Sequence, residues 1–172
     1  LMDEPISTLT EEEQAFLDGP TEELCAMVTD WEIQKQRDLP PDVWQFIKDN
    51  KFWGLIIPKE YDGLGFSPTG HSEIVAKINS RSATLANSVI VPNSLGPAEL
   101  LMHYGTEEQK SHYLPRLANG KEIPCFALTE PNAGSDAGSM TSHGVVFKGE
   151  NGELYMRLNF KKRYITLAAI ST

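Results

Sequence analysis

The hydrophobic pattern of this 172-residue chain changes near Lys121, and that change limits the possible folds more than any other feature. Before Lys121, apolar residues recur at helical spacing between caps and breaks, whereas β-branched and aromatic runs follow it, separated by glycine-rich turns. Helices followed by strands are typical of the α+β class. We therefore predict an all-α helical domain over residues 1–121, followed over residues 122–172 by the first strands of an incomplete β-barrel or sheet domain.

Start and stop signals divide the first domain into helices. Thr10 with Glu13, and Thr106 with Gln109, have the spacing of a capping box, in which two side chains satisfy each other's backbone N–H groups. Pro92 opens a sequence rich in turn-forming residues and predicts a helix break over 92–97. Between these signals the pattern predicts further helices over residues 21–36, 41–50, 67–80, 82–91 and 99–104.

The second domain is predicted to be built from short strands. Residues 123–129, 141–148, 153–159 and 163–170 have strand-like composition, and Gly-Glu-Asn-Gly at 149–152 predicts a hairpin turn. The final apolar segment runs nearly to Thr172, so we expect a sheet that needs further strands or a partner. The alternative is a small complete sheet packed on the helices.

Composition argues against several classes of function. A formal net charge of −9 is unsuited to a nucleic-acid interface, which needs clustered Lys and Arg. The two cysteines form no CxxC motif and the four histidines are scattered, so we predict reduced thiols and no metal site. No apolar run approaches the roughly 20 residues of a membrane span, and no secretory signal opens the chain. The expected location is the cytoplasm, with association of the parent protein with the inner membrane left open.

The most specific stretch is Ala-Leu-Thr-Glu-Pro-Asn-Ala-Gly-Ser-Asp-Ala-Gly-Ser at residues 127–139. It resembles the signature of the acyl-CoA dehydrogenase family, in which a small residue, an aliphatic residue, Ser or Thr, and Glu precede a Gly-Ser/Thr-Asp turn. Residues 58–65 and 105–120 are similar to two upstream segments of that family. Tyr164-Ile165-Thr166 lies where the family usually has Trp-Ile-Thr. The resemblance covers the chain from about Leu9 to its end.

The resemblance implies a flavoenzyme that uses FAD to dehydrogenate acyl-CoA thioesters between Cα and Cβ in fatty-acid β-oxidation. The sequence around Tyr164 is most like that of the bacterial long-form enzymes. The implied partners are an acyl-CoA substrate and an electron-transferring flavoprotein or equivalent acceptor, and the implied parent is a homo-oligomer. The family's catalytic carboxylate lies in a C-terminal helical domain, so no residue here is assigned as catalytic. We expect the 172-residue chain alone to lack turnover and to bind FAD weakly or not at all.

The resemblance also assigns cofactor-binding residues. It implies that Phe126, Leu128 and Thr129 contact the flavin, that Thr166 forms a hydrogen bond near flavin N5, and that Tyr164 packs on the ring. A loop of small residues after a strand exposes backbone N–H groups, which can approach a flat ring or an anionic oxygen. The central hypothesis is that the turn after Thr129 and the segment through Thr166 form one wall of a flavin site.

Substrate-binding residues follow from the same resemblance. Ser135 matches a position that contacts the CoA portion and is included among the cofactor-binding candidates. Ser88, Val91 and Leu95 lie in the region that forms the family's acyl-chain pocket, although plain helix–helix packing explains them equally well. For Glu130, we expect an ion pair or a loop hydrogen bond rather than acid–base catalysis.

Two rival functions remain open at the level of sequence. An acyl-CoA oxidase, or a related carbon–nitrogen oxidase, would share much of this architecture. A non-catalytic helical interaction module is the rival of a different class, and it has no need of Thr129, Ser135 and Thr166 together. For Asp136, a turn or capping role is expected ahead of a ligand contact.

Overall fold

The structure is a computed structural model that describes residues 8–172, and it confirms the predicted order of helices followed by strands. Eight α-helices and one two-stranded antiparallel sheet lie within these residues. The helices are α1 Glu11–Asp18, α2 Pro20–Ala26, α3 Asp30–Gln36, α4 Pro41–Asp49, α5 Pro68–Arg81, α6 Ala83–Ser94, α7 Ala98–Tyr104 and α8 Glu107–Ala118, and the strands are β1 His143–Lys148 and β2 Leu154–Asn159.

Both predicted capping boxes are confirmed. The Thr10 hydroxyl accepts from the Glu13 N–H at 3.2 Å, and the Glu13 carboxylate accepts from the Thr10 N–H at 2.8 Å. Thr106 and Gln109 make the same pair of bonds at 3.2 and 2.9 Å. These contacts satisfy N–H groups that lack partners at the start of α1 and α8, so both helices begin where the sequence indicated.

The prediction of one helix over residues 21–36 was wrong. The chain forms α2 and α3, separated at 27–29, and the Thr29 hydroxyl caps α3 by accepting from the Glu32 N–H at 3.4 Å. The apolar residues on either side of the break still face one core, because Leu24, Val28 and Ile33 are all buried. Continuous hydrophobic spacing therefore concealed a break between two helices.

The predicted helix break at Pro92 was also wrong, because α6 continues through Pro92 to Ser94. Proline removes one backbone donor and leaves the carbonyl four residues earlier without its helical partner. That carbonyl belongs to Ser88, and the Trp53 indole N–H donates to it at 2.8 Å. Asn93 adds a bond from its side-chain amide to the Val89 carbonyl at 2.9 Å. Tertiary contacts thus compensate for the proline.

The main core lies inside the helical domain. Phe52, Trp53 and Leu55, in the connection between α4 and α5, are almost fully buried and contact residues from several helices. Gly54 makes this packing possible, because a Cβ at that position would lie 2.8 Å from the Cβ of Ala118 in α8. The first part of this connection, residues 52–57, is therefore part of the core, whereas Lys59, Glu60 and Asp62 are exposed.

The predicted hairpin forms between β1 and β2, with Val146 opposite Met156 and Phe147 opposite Tyr155. Gly152 adopts φ +81° in the turn, a left-handed conformation that favours glycine. Every residue of both strands is exposed. Alternation places a set of apolar side chains on one face, namely Val146, Leu154, Met156 and Leu158, which are 59–76% exposed.

The predicted strands over residues 123–129 and 163–170 are not regular strands. They pair as strands at one isolated bridge, between Phe126 and Thr166, and a further backbone hydrogen bond joins Arg163 to Thr129. Tyr164 and Leu167 adopt φ values of +57° and +65°, which interrupt the extended backbone. Residues 167–170 form turns instead.

Within residues 8–172, no helix is both long and apolar enough to cross a lipid bilayer. The same part of the chain has no group of three or more His, Cys, Asp or Glu side chains placed to hold a metal ion. Both cysteines are free, with Cys25 buried and Cys125 exposed.

Candidate functional site

The two segments that carry Thr129 and Thr166 lie side by side. The Phe126 N–H donates to the Thr166 carbonyl at 3.4 Å, and the Arg163 N–H donates to the Thr129 carbonyl at 3.0 Å. The segments therefore run antiparallel, with the two threonines displaced along the pair by three residues. Thr129 is half-buried and Thr166 is exposed, and neither hydroxyl forms a hydrogen bond within the described residues.

The two segments that carry these hydroxyls also carry exposed apolar side chains. Phe126 and Leu128 are 36% and 38% exposed, and Tyr164 is 79% exposed. The Arg163 guanidinium lies 4.6 Å from the centroid of the Tyr164 ring, a cation–π contact. Exposed apolar groups beside unpaired hydroxyls suit a flat ligand with a polar edge.

A buried carboxylate closes the base of the loop that follows Thr129. Glu130 is 6% exposed and accepts hydrogen bonds from the N–H and hydroxyl groups of both Thr141 and Ser142. The Lys162 ammonium adds an ion pair at 3.0 Å and also donates to the Leu128 carbonyl at 3.0 Å. The Ser142 hydroxyl bond is the largest influence in lowering the Glu130 pKa from 4.5 to about 2. Glu130 thus has the structural role expected of it, and the loop over 131–140 is clasped between residues 130 and 141.

The clasped loop presents small, exposed residues. The Asp136 carboxylate accepts from the Gly138 N–H at 3.1 Å and caps a single 3₁₀ turn, Ala137–Ser139, which confirms the turn role predicted for Asp136. Ser135 is exposed. A Cβ at Gly134 would meet no atom within 4 Å, and its φ lies outside the left-handed region. Neither packing nor backbone geometry within the described residues therefore explains glycine at 134.

Of the three acyl-pocket candidates, Ser88 alone lines the cavity described next. Ser88 lines a cavity of about 340 Å³ between the helical domain and the segment around Thr166, where Trp44, Ile165 and Leu167 also contribute. Its hydroxyl donates to the Thr84 carbonyl at 3.0 Å. Val91, buried, and Leu95, 48% exposed, line no part of this cavity. Both neighbours of Thr166, Ile165 and Leu167, nevertheless line the same cavity as Ser88.

Sequence reasoning missed two features of this region. Lys162 was not singled out, although a cation inside the run Lys161-Lys162-Arg163 was the available signal for a partner of Glu130. A cavity of about 490 Å³ also lies between α7, α8 and residues 122–124, with Leu101, Tyr113 and Leu117 in its wall. Those residues have ordinary helical spacing, so no local pattern separated them from core positions.

The fold and this geometry together define a helical domain joined to a candidate ligand-site wall, the paired segments that carry Thr129 and Thr166. Comparison with known families gives the class. Residues 10–121 match the model of the acyl-CoA dehydrogenase N-terminal domain. The matched region ends where the helices end, and the chain belongs to the acyl-CoA dehydrogenase family.

Curated relatives include both reductases and dehydrogenases. The chain is 36% identical over 140 residues to a 3-(aryl)acrylate reductase of Clostridium sporogenes, covering 81% of this chain and 36% of that protein. It is 33% identical over 153 residues to the caffeyl-CoA reductase-Etf complex subunit CarC of Acetobacterium woodii, covering 89% and 38%. An acyl-CoA dehydrogenase of Bacillus subtilis is 32% identical over 134 residues, covering 78% and 34%. The chain therefore spans less than two-fifths of the length of these relatives.

A solved structure supports the fold. Butyryl-CoA dehydrogenase from Megasphaera elsdenii superposes with a TM-score of 0.76 at 23% identity, covering 97% of this chain and 44% of that chain. Flavoproteins of this family carry FAD. The described residues fit such a group, because the unpaired hydroxyls of Thr129 and Thr166 and the open space beside Gly134 offer donors and room for a flat polar ring.

Proposed function

We propose that this chain forms part of an FAD-dependent enzyme that oxidises acyl-CoA thioesters between Cα and Cβ in fatty-acid β-oxidation. The observation that carries the proposal is the antiparallel pairing of the Thr129 and Thr166 segments beside a clasped loop of small residues. Membership of the acyl-CoA dehydrogenase family supports the same proposal. The dehydrogenation itself belongs to the complete protein.

In this proposal the chain binds and orients, while bound FAD supplies the hydride acceptor. The Thr129 and Thr166 hydroxyls donate to the polar edge of the flavin, and Phe126, Leu128 and Tyr164 contact its faces. Donors placed where negative charge accumulates stabilise a reduced flavin. A carboxylate must remove the α-proton, and none of the described residues is assigned that role. Glu130 is unsuited to it, because this buried carboxylate already accepts five hydrogen bonds.

The substrate contacts are part of the same proposal. Ser135 is exposed on the clasped loop, where its hydroxyl is free to contact the CoA portion of a thioester. Ser88 lies beside the Thr166 segment, where an acyl chain could approach. Val91 and Leu95 do not line the cavity that Ser88 lines, and core packing is the simpler account of the buried Val91.

A second candidate is the reverse reaction, reduction of an unsaturated acyl thioester. It is favoured by the similarity to the 3-(aryl)acrylate reductase and to CarC. Oxidation and reduction of the thioester would use the same flavin wall, because both reactions involve the reduced flavin that these donors stabilise. An oxidase differs only in passing electrons to molecular oxygen. Comparing initial rates of oxidation of saturated thioesters with those of reduction of α,β-unsaturated thioesters shows which direction the complete protein prefers. Consumption of molecular oxygen distinguishes an oxidase from a dehydrogenase or a reductase.

We also propose an electron-transferring flavoprotein as the redox partner, a homo-oligomeric parent and a cytoplasmic location. The similarity to a subunit of a reductase–Etf complex supports the first of these. This redox partnership can be measured directly. The complete protein, supplied with an acyl-CoA, should reduce a purified electron-transferring flavoprotein.

The proposal is tested by removing single hydroxyl groups from the complete protein. Thr166→Val and Thr129→Val keep side-chain shape but remove a donor, and each should slow bleaching of the flavin by acyl-CoA about tenfold to a hundredfold. Thr21→Val is the matched control, because the buried Thr21 hydroxyl has no hydrogen-bond partner within the described residues and lies on α2. Bleaching rates in both site variants equal to that of the control would refute the proposed wall.

A further inference from the structure

Residues 161–163 form a run of three cations, Lys-Lys-Arg, directly before the segment that carries Thr166. Lys161 and Arg163 are exposed, and neither forms an ion pair within residues 8–172. The side chain of Lys162, in contrast, is only 14% exposed and pairs with the buried Glu130. A charge withdrawn from water needs compensating contacts, so the partners of Lys162 indicate its role.

The Lys162 ammonium serves three acceptors at once. It donates to the Leu128 carbonyl and to the Glu130 carboxylate, each at 3.0 Å, and to the Met140 Sδ at 3.6 Å. An ammonium has three N–H donors and a thioether is a weak acceptor, so every donor of Lys162 is engaged. Lys162 therefore joins the segment that leads to Thr166 to residues at both ends of the clasped loop.

These contacts bracket Thr129. Leu128 and Glu130 are its two neighbours in the chain, and the same ammonium binds both. The Thr129 carbonyl accepts from the Arg163 N–H at 3.0 Å. Residues 128–130 are thus attached at three points to residues 162–163, and the position of the Thr129 hydroxyl relative to Thr166 depends on these attachments.

Glu130 and Lys162 have separable roles. Four of the five hydrogen bonds that Glu130 accepts come from Thr141 and Ser142, and these bonds close the loop without Lys162. The bonds from Lys162 instead attach residues 128–130 to the segment that leads to Thr166. Removal of the ammonium should therefore leave the loop closed and loosen the wall.

We propose that Lys162 is a positioning residue for the flavin wall: by bonding on either side of Thr129, its ammonium holds the Thr129 hydroxyl in place relative to Thr166. This inference rests on the proposed function and adds to it a residue that acts on bound flavin through Thr129. Donors that are fixed beforehand stabilise developing charge without reorganisation. Reduced flavin carries the greater negative charge, so loosening Thr129 should make the bound flavin harder to reduce.

The first test needs no flavin and uses the 172-residue chain. Lys162→Met removes the ammonium and keeps an unbranched side chain, and Lys161→Met is the matched control at the exposed neighbouring position. Lys162→Met should speed hydrogen exchange at the Arg163 amide, which donates to the Thr129 carbonyl, about tenfold, the effect of one lost charge-assisted bond. Lys161→Met should leave that rate unchanged.

Other amides show whether Lys162→Met acts locally. The N–H groups of Thr141 and Ser142 are bound to Glu130 rather than to Lys162, so their exchange rates should stay as in wild type. Amides in α8 should also be unchanged, which establishes that the helical domain remains folded.

The second test measures the reduction potential of flavin bound to the complete protein. Loss of a fixed donor should change the ratio of affinities for reduced and oxidised flavin about tenfold, which lowers the two-electron potential by about 30 mV. Thr129→Val and Lys162→Met should each show this shift. The double variant should shift no further, because Lys162 acts through Thr129, and Lys161→Met should keep the wild-type potential.

Lys162→Arg keeps the test informative if Lys162→Met fails to fold. It retains a cation for Glu130, but a planar guanidinium does not replace an ammonium that serves three separate acceptors. The potential of Lys162→Arg should therefore lie between those of wild type and Thr129→Val, and its double variant with Thr129→Val should equal Thr129→Val alone.

Two results would overturn the assignment. One is a wild-type exchange rate at the Arg163 amide in Lys162→Met. The other is additive shifts of potential in the double variant, which would mean that the charge of Lys162 influences the flavin independently of Thr129. Neither result alters the bleaching rates of Thr129→Val and Thr166→Val, so the proposed function is judged separately.

Discussion

At the scale of single residues, two buried glutamates join segments that are distant in sequence. Glu13 accepts from the Thr10 N–H within its own capping box and from the Ser67 N–H at 2.6 Å, which links the starts of α1 and α5. Glu130 does the same for the two ends of the clasped loop. A carboxylate can serve several donors at once, so one side chain fixes a junction between segments.

Glu13→Gln should destabilise the helical domain by about 1–2 kcal/mol, because a neutral amide is a weaker acceptor for the two partly buried N–H groups of Thr10 and Ser67. Burial raises the Glu13 pKa, but the bonds from Thr10 and Ser67 outweigh it and lower the pKa from 4.5 to about 2. A group with a lowered folded-state pKa stabilises the fold above its unfolded pKa and loses that effect as pH falls toward the folded value. The stability difference between wild type and Glu13→Gln should therefore be constant above pH 4.5 and shrink between pH 4.5 and about 2.

Urea unfolding at a series of pH values measures this difference. Glu12→Gln is the control, since Glu12 is exposed on α1 and, among residues 8–172, forms an ion pair with Lys59 alone, at the surface. If the stability gap in Glu13→Gln persisted unchanged down to pH 2, the charged form of Glu13 would not be its source.

Gly134→Ala separates ligand binding from stability. The added Cβ meets no atom within 4 Å and the backbone there does not require glycine, so the free energy of unfolding should change by less than about 0.5 kcal/mol. Binding of FAD or acyl-CoA by the complete protein should weaken, because the methyl group occupies space beside the proposed wall. Gly63→Ala is the contrasting variant: its Cβ would lie 2.0 Å from the Ile57 carbonyl oxygen, and it should destabilise the fold outright. Unchanged ligand affinity in Gly134→Ala would place the ligand elsewhere.

At the scale of secondary-structure elements, helix ends followed local rules and helix interiors did not. Thr10, Ser67 and Thr106 begin their helices as the sequence indicates, because a cap needs only residues within one turn. The passage of α6 through Pro92 depends instead on an indole from Trp53, far away in sequence. No pattern around Pro92 contains that information.

Strands were predicted less well for the same reason. The hairpin was predictable because its turn and both strands are contiguous. Residues 123–129 and 163–170 are apolar enough for strands, but a strand is defined by its neighbours, and here they meet at only one bridge. The family motif directed attention to the candidate wall, but it gave no sign of the left-handed backbone at Tyr164 and Leu167.

Arg37→Gly should stabilise the helical domain. Arg37 follows the last residue of α3 with φ +60°, a left-handed conformation that is unfavourable for residues with a Cβ. Glycine relieves that cost, partly offset by its greater freedom in the unfolded chain, for a net gain of about 0.5–1 kcal/mol. Gln36→Gly, one residue earlier and still helical, should lose about the same amount. Guanidinium unfolding should give changes in the free energy of unfolding of opposite sign for Arg37→Gly and Gln36→Gly. Changes of the same sign would contradict the capping argument.

At the scale of the whole molecule, burial is concentrated in the helical domain. The main core draws its buried residues from positions 16–123, and the smaller cluster contains Ile57, Ala98, Leu114, Leu117 and Ala118. The hairpin has no buried residue in either strand. Because hydrophobic burial is the dominant stabilising term in folding, the two parts should differ in local stability.

Amide hydrogen exchange should therefore divide the chain near residue 123. Amides inside α5, α6 and α8, packed around the buried cores, should exchange only through large-scale unfolding and show the highest protection. Hairpin amides should exchange much faster, because two exposed strands are marginal without further packing. Thr141 and Ser142 should be intermediate, since their N–H groups are bound to Glu130, and Glu130→Gln should lower their protection without changing α8. Uniform protection across both parts would mean that the hairpin is packed in solution. Its apolar face, formed by Val146, Leu154, Met156 and Leu158, would then have to be covered by self-association. Sedimentation of the same sample would reveal that association.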